Sequence, residues 1–257
     1  MKDSKYSVFE RVFTLLLTNI LENLAVKLAD HILAVSYNDK KRFHEKYNVE
    51  SEKITVIPSG VNPNSYSYIN NLNYTEIKKV FGIYENAVVV VFHGSYFYSP
   101  NREAIDLIVN YIAPKINRIY DNVLFLIAGY GVPVFERSNV KSLGFVEDIQ
   151  LLVHASDIAV VPILRGGGTR LKVLDYMGAG LPIVTTKKGI EGIEVSNGKH
   201  ALIVDNVDRE FIDAVGYLVD NETERRKIGA NARKLAQEKY SWDKIGKDLN
   251  KLYRNLI

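Results

Sequence analysis

The stretch Asp157-Ile158-Ala159-Val160-Val161-Pro162-Ile163-Leu164 runs directly into Arg165-Gly166-Gly167-Gly168-Thr169-Arg170-Leu171-Lys172-Val173-Leu174-Asp175. Its first half is apolar, short and rich in β-branched residues, the composition of a strand buried on both faces of a parallel sheet. In the second half Leu171, Leu174 and Met177 fall at helical spacing, and Thr169 is placed to cap that helix. The order is therefore strand, glycine loop, helix start. Glycines let the backbone approach a ligand, and the N–H groups of a first helical turn point towards it. Arg165, Arg170 and Lys172 bring positive charge to the same place. This is the pattern of a phosphate or diphosphate site formed by Gly166, Gly167, Gly168, Thr169, Arg170 and Lys172. The other reading is a tight strand-to-helix turn with solvated cations. The loop has neither the G-x-x-x-x-G-K-[S/T] order of a P-loop nor the G-x-G-x-x-G of a dinucleotide fold, which argues against ATP hydrolysis and hydride transfer.

The same theme recurs around it. Apolar runs at Ala87–Phe92, Val123–Ala128, Leu181–Thr185 and Ala201–Val204 alternate with helical patterns. Such alternation predicts an α/β fold, a Rossmann-like parallel sheet with helices on both faces. Ligands bind such sheets beyond the carboxyl ends of the strands. Gly94-Ser95, Gly129-Tyr130-Gly131, Gly166–Thr169 and Lys187-Lys188-Gly189 all fall at those ends, so four loops are expected on one rim. His93 closes a strand beside Gly94, as a ligand contact or as a buried structural histidine. Towards the N-terminus the pattern predicts a helix over Val8–Leu28, a strand Ile32–Val35, a helix Lys40–Tyr47 and a strand Ile54–Ile57. Charged helices are expected from Asp208 to Glu238, and a last one over Trp242–Ile257. Phe9, Val12, Phe13, Leu15, Leu16, Leu17, Ile20, Leu21 and Leu24 surround most of the first helix. That distribution fits burial within the chain or, preferably, a contact surface for a second copy, a separate N-terminal half or a membrane.

Composition narrows the classes. The 257 residues hold 47% hydrophobic and 25% charged residues, ordinary globular values. A formal charge of +3 suits an anionic ligand or an acidic membrane surface, and no Lys/Arg block points to nucleic acid. Without cysteine there are no disulfides or thiolate metal sites, and the five histidines show no metal-ligand spacing. No Asp-x-Asp motif is present, so no metal is expected at the site. The apolar run Val12–Leu21 is about half the length of a bilayer span. The expected location is cytoplasmic, with peripheral contact at the inner face of the membrane as an option.

Downstream of the loop, Val173-Leu174-Asp175-Tyr176-Met177-Gly178-Ala179-Gly180-Leu181-Pro182-Ile183-Val184-Thr185-Thr186 resembles the helix-turn-strand segment of GT-B glycosyltransferases of family 4, the glycosyl transferases group 1. Val56-Ile57-Pro58-Ser59-Gly60-Val61-Asn62, Phe92-His93-Gly94-Ser95 with Ser99-Pro100-Asn101, Leu126-Ile127-Ala128-Gly129-Tyr130-Gly131 and Leu143-Gly144-Phe145-Val146-Glu147-Asp148 match further landmarks of that family in its own order. The resemblance implies three parts. Residues 1–61 would be a remnant of the N-terminal GT-B domain, 62–239 the nucleotide-sugar-binding domain, and 240–257 a helix returning to the N-terminal part. It implies transfer of a sugar from a nucleotide diphosphate sugar to an acceptor, with retention and without metal or other cofactor, the nucleotide sugar being a substrate. Gly94 and Ser95 join the glycine loop around the diphosphate, and Gly129, Gly131, Val146 and Asp175 hold the nucleoside, Asp175 at the ribose.

Two departures accompany the match. The family's two glutamates, eight residues apart, are here Gly167 and Asp175, and the Arg and Lys of its first strand-loop are replaced by Ser95 and Asn101. No catalytic residue is assigned on this basis. The alternatives are a non-catalytic nucleotide-sugar-binding subunit and a GT-B-fold sugar-nucleotide epimerase. With the acceptor-binding strands absent from the sequence, the chain alone is expected to be a poor transferase.

Overall fold

A computed structural model of the chain describes residues 8–66 and 74–256. Ile257 and the side chain of Phe9 lie outside the described residues. The chain divides into two compact units, Met1–Pro58 and Ser59–Ile257.

The first unit holds α1 (Val8–Leu28), β1 (Ile32–Ala34), α2 (Tyr37–Tyr47) and β2 (Ile54–Val56), with β1 and β2 paired in parallel. Its small core gathers Val26, Ala34, Val49 and Ile54. α2 begins three residues earlier than the sequence pattern predicts. The reason is Ser36, whose hydroxyl accepts the Asp39 N–H at 3.1 Å and so caps the helix before its first apolar residue. On α1 the apolar side chains from Val12 to Leu28 face solvent, Leu17 45% exposed and Leu28 73%. Among the described residues no helix is long and apolar enough to cross a membrane.

The second unit is built on a seven-stranded sheet. Its strands are β3 (Val88–His93), β4 (Val123–Ala128), β5 (Phe135–Arg137), β6 (Val140–Gly144), β7 (Ile158–Val161), β8 (Ile183–Thr186) and β9 (Leu202–Val204), in the spatial order β5-β6-β4-β3-β7-β8-β9. All neighbours are parallel except the β5–β6 edge pair. The parallel strands thus follow the doubly wound order, which reverses direction between β3 and β7. Every residue of β4 and β7 is buried, as the continuous β-branched runs require. Helices α4 (Ser99–Leu107), α5 (Ala113–Asn117), α6 (Ile149–His154), α7 (Leu171–Ala179), α8 (Arg209–Asp220) and α9 (Glu222–Lys239) complete the unit, followed by α10 (Trp242–Leu256).

Proline explains why the central strand is shorter than its apolar run. Pro162 has no N–H to donate, so the ladder of β7 stops at Val161, and beyond it the Thr186 hydroxyl donates to the Ile163 carbonyl. β5 and β6 carry too few apolar residues to be recognised in the sequence. They form because Val140 to Ser142 find partners on the free edge of β4.

Helix α7 ends on Gly180, whose φ of 79° gives the left-handed turn that sends the chain into β8. Against that turn lies Gly229 of α9, where an added Cβ would overlap the Gly180 carbonyl. Alanine normally favours a helix over glycine by about 1 kcal/mol. Overpacking costs about 1–3 kcal/mol, and more against rigid backbone. Gly229→Ala is therefore expected to lower the melting temperature in thermal denaturation. A higher melting temperature would contradict this packing of α7 on α9.

Candidate donor-binding site at the sheet switch point

Register brings the loops together. β3 and β4 run level from Val88↔Val123 to His93↔Ala128, and both chains leave the sheet at the same height. Gly94 N–H donates to the Ala128 carbonyl at 2.9 Å, and Gly129 N–H to the Gly144 carbonyl at 2.7 Å. Gly129 presses on the Gly94 carbonyl so closely that a side chain there would overlap it. Tyr96 N–H donates to the Tyr130 carbonyl at 2.9 Å, locking the second pair of turns. From the other side of the switch point comes the loop after β7. Tyr98 bridges the gap, its hydroxyl donating to the Gly167 carbonyl at 3.2 Å and accepting from Arg170 Nη1 at 3.2 Å. The Arg165 guanidinium ion-pairs with Glu103 on α4, so it is engaged and does not stand free as a cation.

The glycine loop then has two faces. Gly166 (φ 98°) backs onto Tyr98 and Pro100, where a side chain would collide. Gly167 and Gly168 have nothing within 4 Å of the place a Cβ would occupy, leaving the middle of the loop open. Arg170, only 5% exposed, turns inward. Its Nη atoms donate to the carbonyls of Gly167 at 2.9 Å, Gly166 at 3.1 Å and Arg165 at 3.3 Å. The guanidinium thus shapes the loop from within. Thr169 does not cap α7. Arg170 occupies the cap position with no side-chain cap bond, and the Thr169 hydroxyl is buried without a partner.

Lys172, in the first turn of α7, is 9% exposed. Its ammonium donates to Asn101 Oδ1 at 2.7 Å and stands 3.9 Å from the centre of the Phe92 ring. Asn101 Nδ2 in turn donates to the Ser95 carbonyl at 2.9 Å. Burial, and next the Arg170 charge, lower the Lys172 pKa to about 7, while Asp175 pulls the other way. One turn further, Asp175 is partly exposed, and burial raises its carboxyl to about 6 against the pull of Lys172. His93 Nε2 lies 3.8 Å from Asp175 Oδ2. Burial, and then Lys172, push the imidazole down to about 3, so His93 is neutral at physiological pH. The Tyr176 hydroxyl accepts the His93 backbone N–H at 3.0 Å, and the two rings meet edge to face.

Among the described residues, the buried side-chain atoms without a hydrogen-bond partner are His93 Nε2, Thr169 Oγ1 and Arg170 Nε. All three belong to the strand end and loop that flank the switch point. Unpaired buried polar atoms are uncommon, and such a concentration marks a functional region. Gly131 (φ 75°) abuts Phe97, which with the exposed Tyr130 forms an aromatic pair 5.5 Å apart on the rim. Val146 is half-buried against the core. Lys188 and Glu191, after β8, ion-pair with each other. The sequence pattern does not single out Tyr98, Glu103 or Tyr176. Ser99-Pro100 is the available signal for the first two, since a proline in the first helical turn fixes where α4 starts.

The profile of the family described as Glycosyl transferases group 1 matches residues 87–221, more than half of the chain, and that of Glycosyltransferase Family 4 matches residues 5–65. Two relatives described as uncharacterized glycosyltransferases of Methanocaldococcus jannaschii are 22% and 27% identical over 98% and 91% of this chain. The chain spans 65% and 62% of their respective lengths. Among solved structures, HepE of Anabaena in complex with UDP and glucose superposes with a TM-score of 0.74 at 18% identity, covering 91% of this chain and 66% of that one. With the doubly wound sheet and its rim of loops, these matches show that the chain belongs to the glycosyl transferases group 1 family.

Proposed function

We propose that the chain binds a nucleoside diphosphate sugar at the β3/β7 switch point and serves a glycosyltransferase that passes the sugar to an acceptor with retention and without a metal ion. The observation that carries this reading is the buried Lys172 ammonium between the two loops that flank the crevice. When the glycosidic bond breaks, negative charge grows on the leaving diphosphate, and a donor fixed beforehand stabilises it without reorganisation. A charge-assisted hydrogen bond contributes roughly 1.5–3 kcal/mol, against about 0.3–1 kcal/mol for an exposed helix N-terminus. The lysine therefore outweighs the α7 dipole. The open faces of Gly167 and Gly168 supply backbone within reach of phosphate oxygens, and Arg170 keeps the loop in that shape. Asp175, partly exposed and one turn along α7, accepts hydroxyl hydrogens of the ribose.

Calorimetry with UDP, GDP and ADP in a chelating buffer tests the anion site. At least one nucleotide is expected to bind, and Lys172→Met is expected to weaken it by roughly one to two powers of ten, the equivalent of one charge-assisted bond. Unchanged affinity in that variant would remove the assignment.

The ribose contact has its own signature. Asp175→Asn is expected to lower affinity for the ribonucleotide by several-fold and to leave the 2′,3′-dideoxy analogue almost unaffected. Equal losses for both would give Asp175 a structural role instead.

A further inference from the structure

The β3–α4 loop carries polar residues at the crevice and no cation that points into it. Arg102 stacks at 5.8 Å on the Tyr96 ring, and the carboxylate of Glu103 is taken by Arg165. What the loop does carry is Asn101, 7% exposed in the first turn of α4. Its amide is oriented by both ends. Nδ2 donates to the Ser95 carbonyl of its own loop, and Oδ1 thereby faces the Lys172 ammonium that arrives from α7. Gly94 completes the cradle, because a Cβ there would lie 2.6 Å from Lys172 Nζ and 2.7 Å from Asn101 Nδ2. The lysine ammonium is thus held against the strand end of one loop although its backbone belongs to the other.

We propose that Asn101 is the positioning residue of the anion site: by fixing the Lys172 ammonium at Gly94 it gives the β3–α4 loop the positive charge that this loop does not itself encode. The inference rests on the reading of the crevice as a nucleoside diphosphate site. An ammonium has three donors. Asn101 takes one of them and the Phe92 ring faces the cation, so capacity is left for an incoming anion. A neutral amide acceptor holds the cation without neutralising it, which an aspartate at the same place would do.

The charged groups around the ammonium agree with this design. Arg170 repels it from the β7–α7 loop, Asp175 attracts it from α7, and His93 on β3 is neutral. With its pKa lowered to about 7, Lys172 is partly deprotonated in the free protein, and a bound anion favours the protonated form. Affinity is accordingly full below that pH and falls as pH rises through it.

The test uses the full chain, with inorganic pyrophosphate and the tightest binder among UDP, GDP and ADP as probes, titrated between pH 6 and pH 9. Asn101→Ala is expected to weaken both probes by about tenfold, the loss of fixed geometry at one charge-assisted bond, and to add nothing in a Lys172→Met background. Asn101→Asp keeps an acceptor for the ammonium, which guards against a folding defect, and its carboxylate is expected to move the fall in affinity to higher pH. Wild-type affinity in Asn101→Ala, losses that add to those of Lys172→Met, or an Asn101→Asp pH profile superimposable on the wild type would each overturn the proposal. If Lys172→Met itself binds both probes normally, the diphosphate reading fails first, and the two failures are thereby told apart.

Discussion

A lysine ammonium held at 9% exposure inside an α/β unit is the constraint around which the rim of this protein is organised. Desolvation opposes the charged form, and the site offsets that cost with one amide oxygen, one aromatic face and one distant carboxylate. Each of these demands something of the sequence. The amide must come from the first turn of α4, which Pro100 helps to start where it does. The aromatic face is Phe92, buried one residue before the end of β3. Between them there is room only for glycine at position 94. The identity of three neighbouring residues thus follows from the position of one side chain.

The other cations of the glycine loop serve its shape. Arg170 collects three carbonyls of its own loop, and Arg165 ties the loop to α4 through Glu103. Guanidinium suits this work because its fixed fork satisfies several acceptors at once. Lysine suits a site whose charge responds to its surroundings. The result is a division of labour: arginines hold the turn rigid, and the ammonium faces the crevice where strand order reverses. Pre-organised donors of this kind lose little when a ligand anion arrives.

Much of this architecture is legible in the amino-acid sequence. The alternation of apolar runs and helical patterns specifies the α/β class, and the glycine loop after Ile158–Val161 locates the rim. The helical pattern over Val8–Leu28 coincides with α1. What the sequence conceals are features decided by tertiary partners. β5 and β6 owe their existence to an available sheet edge and carry no strong periodicity of their own. Thr169 has the residue type of a cap, yet the left-handed Gly168 before it (φ 83°) and the inward turn of Arg170 shift the cap position by one residue. Arg170 and Lys172 are alike in sequence as cations near a helix start. Only the fold shows that one faces carbonyls and the other an amide across the switch point.

The central claim is that nucleoside diphosphate occupies the crevice between β3 and β7. Hydrogen–deuterium exchange of the full chain, with and without the nucleotide that binds it, tests this most directly, since the backbone amides of both loops lie at the site. The account predicts slowed exchange in peptides covering residues 94–101 and 166–173, with weaker protection around 129–131. Unchanged exchange in the first two peptides at saturating nucleotide, or protection confined to another part of the chain, would contradict it.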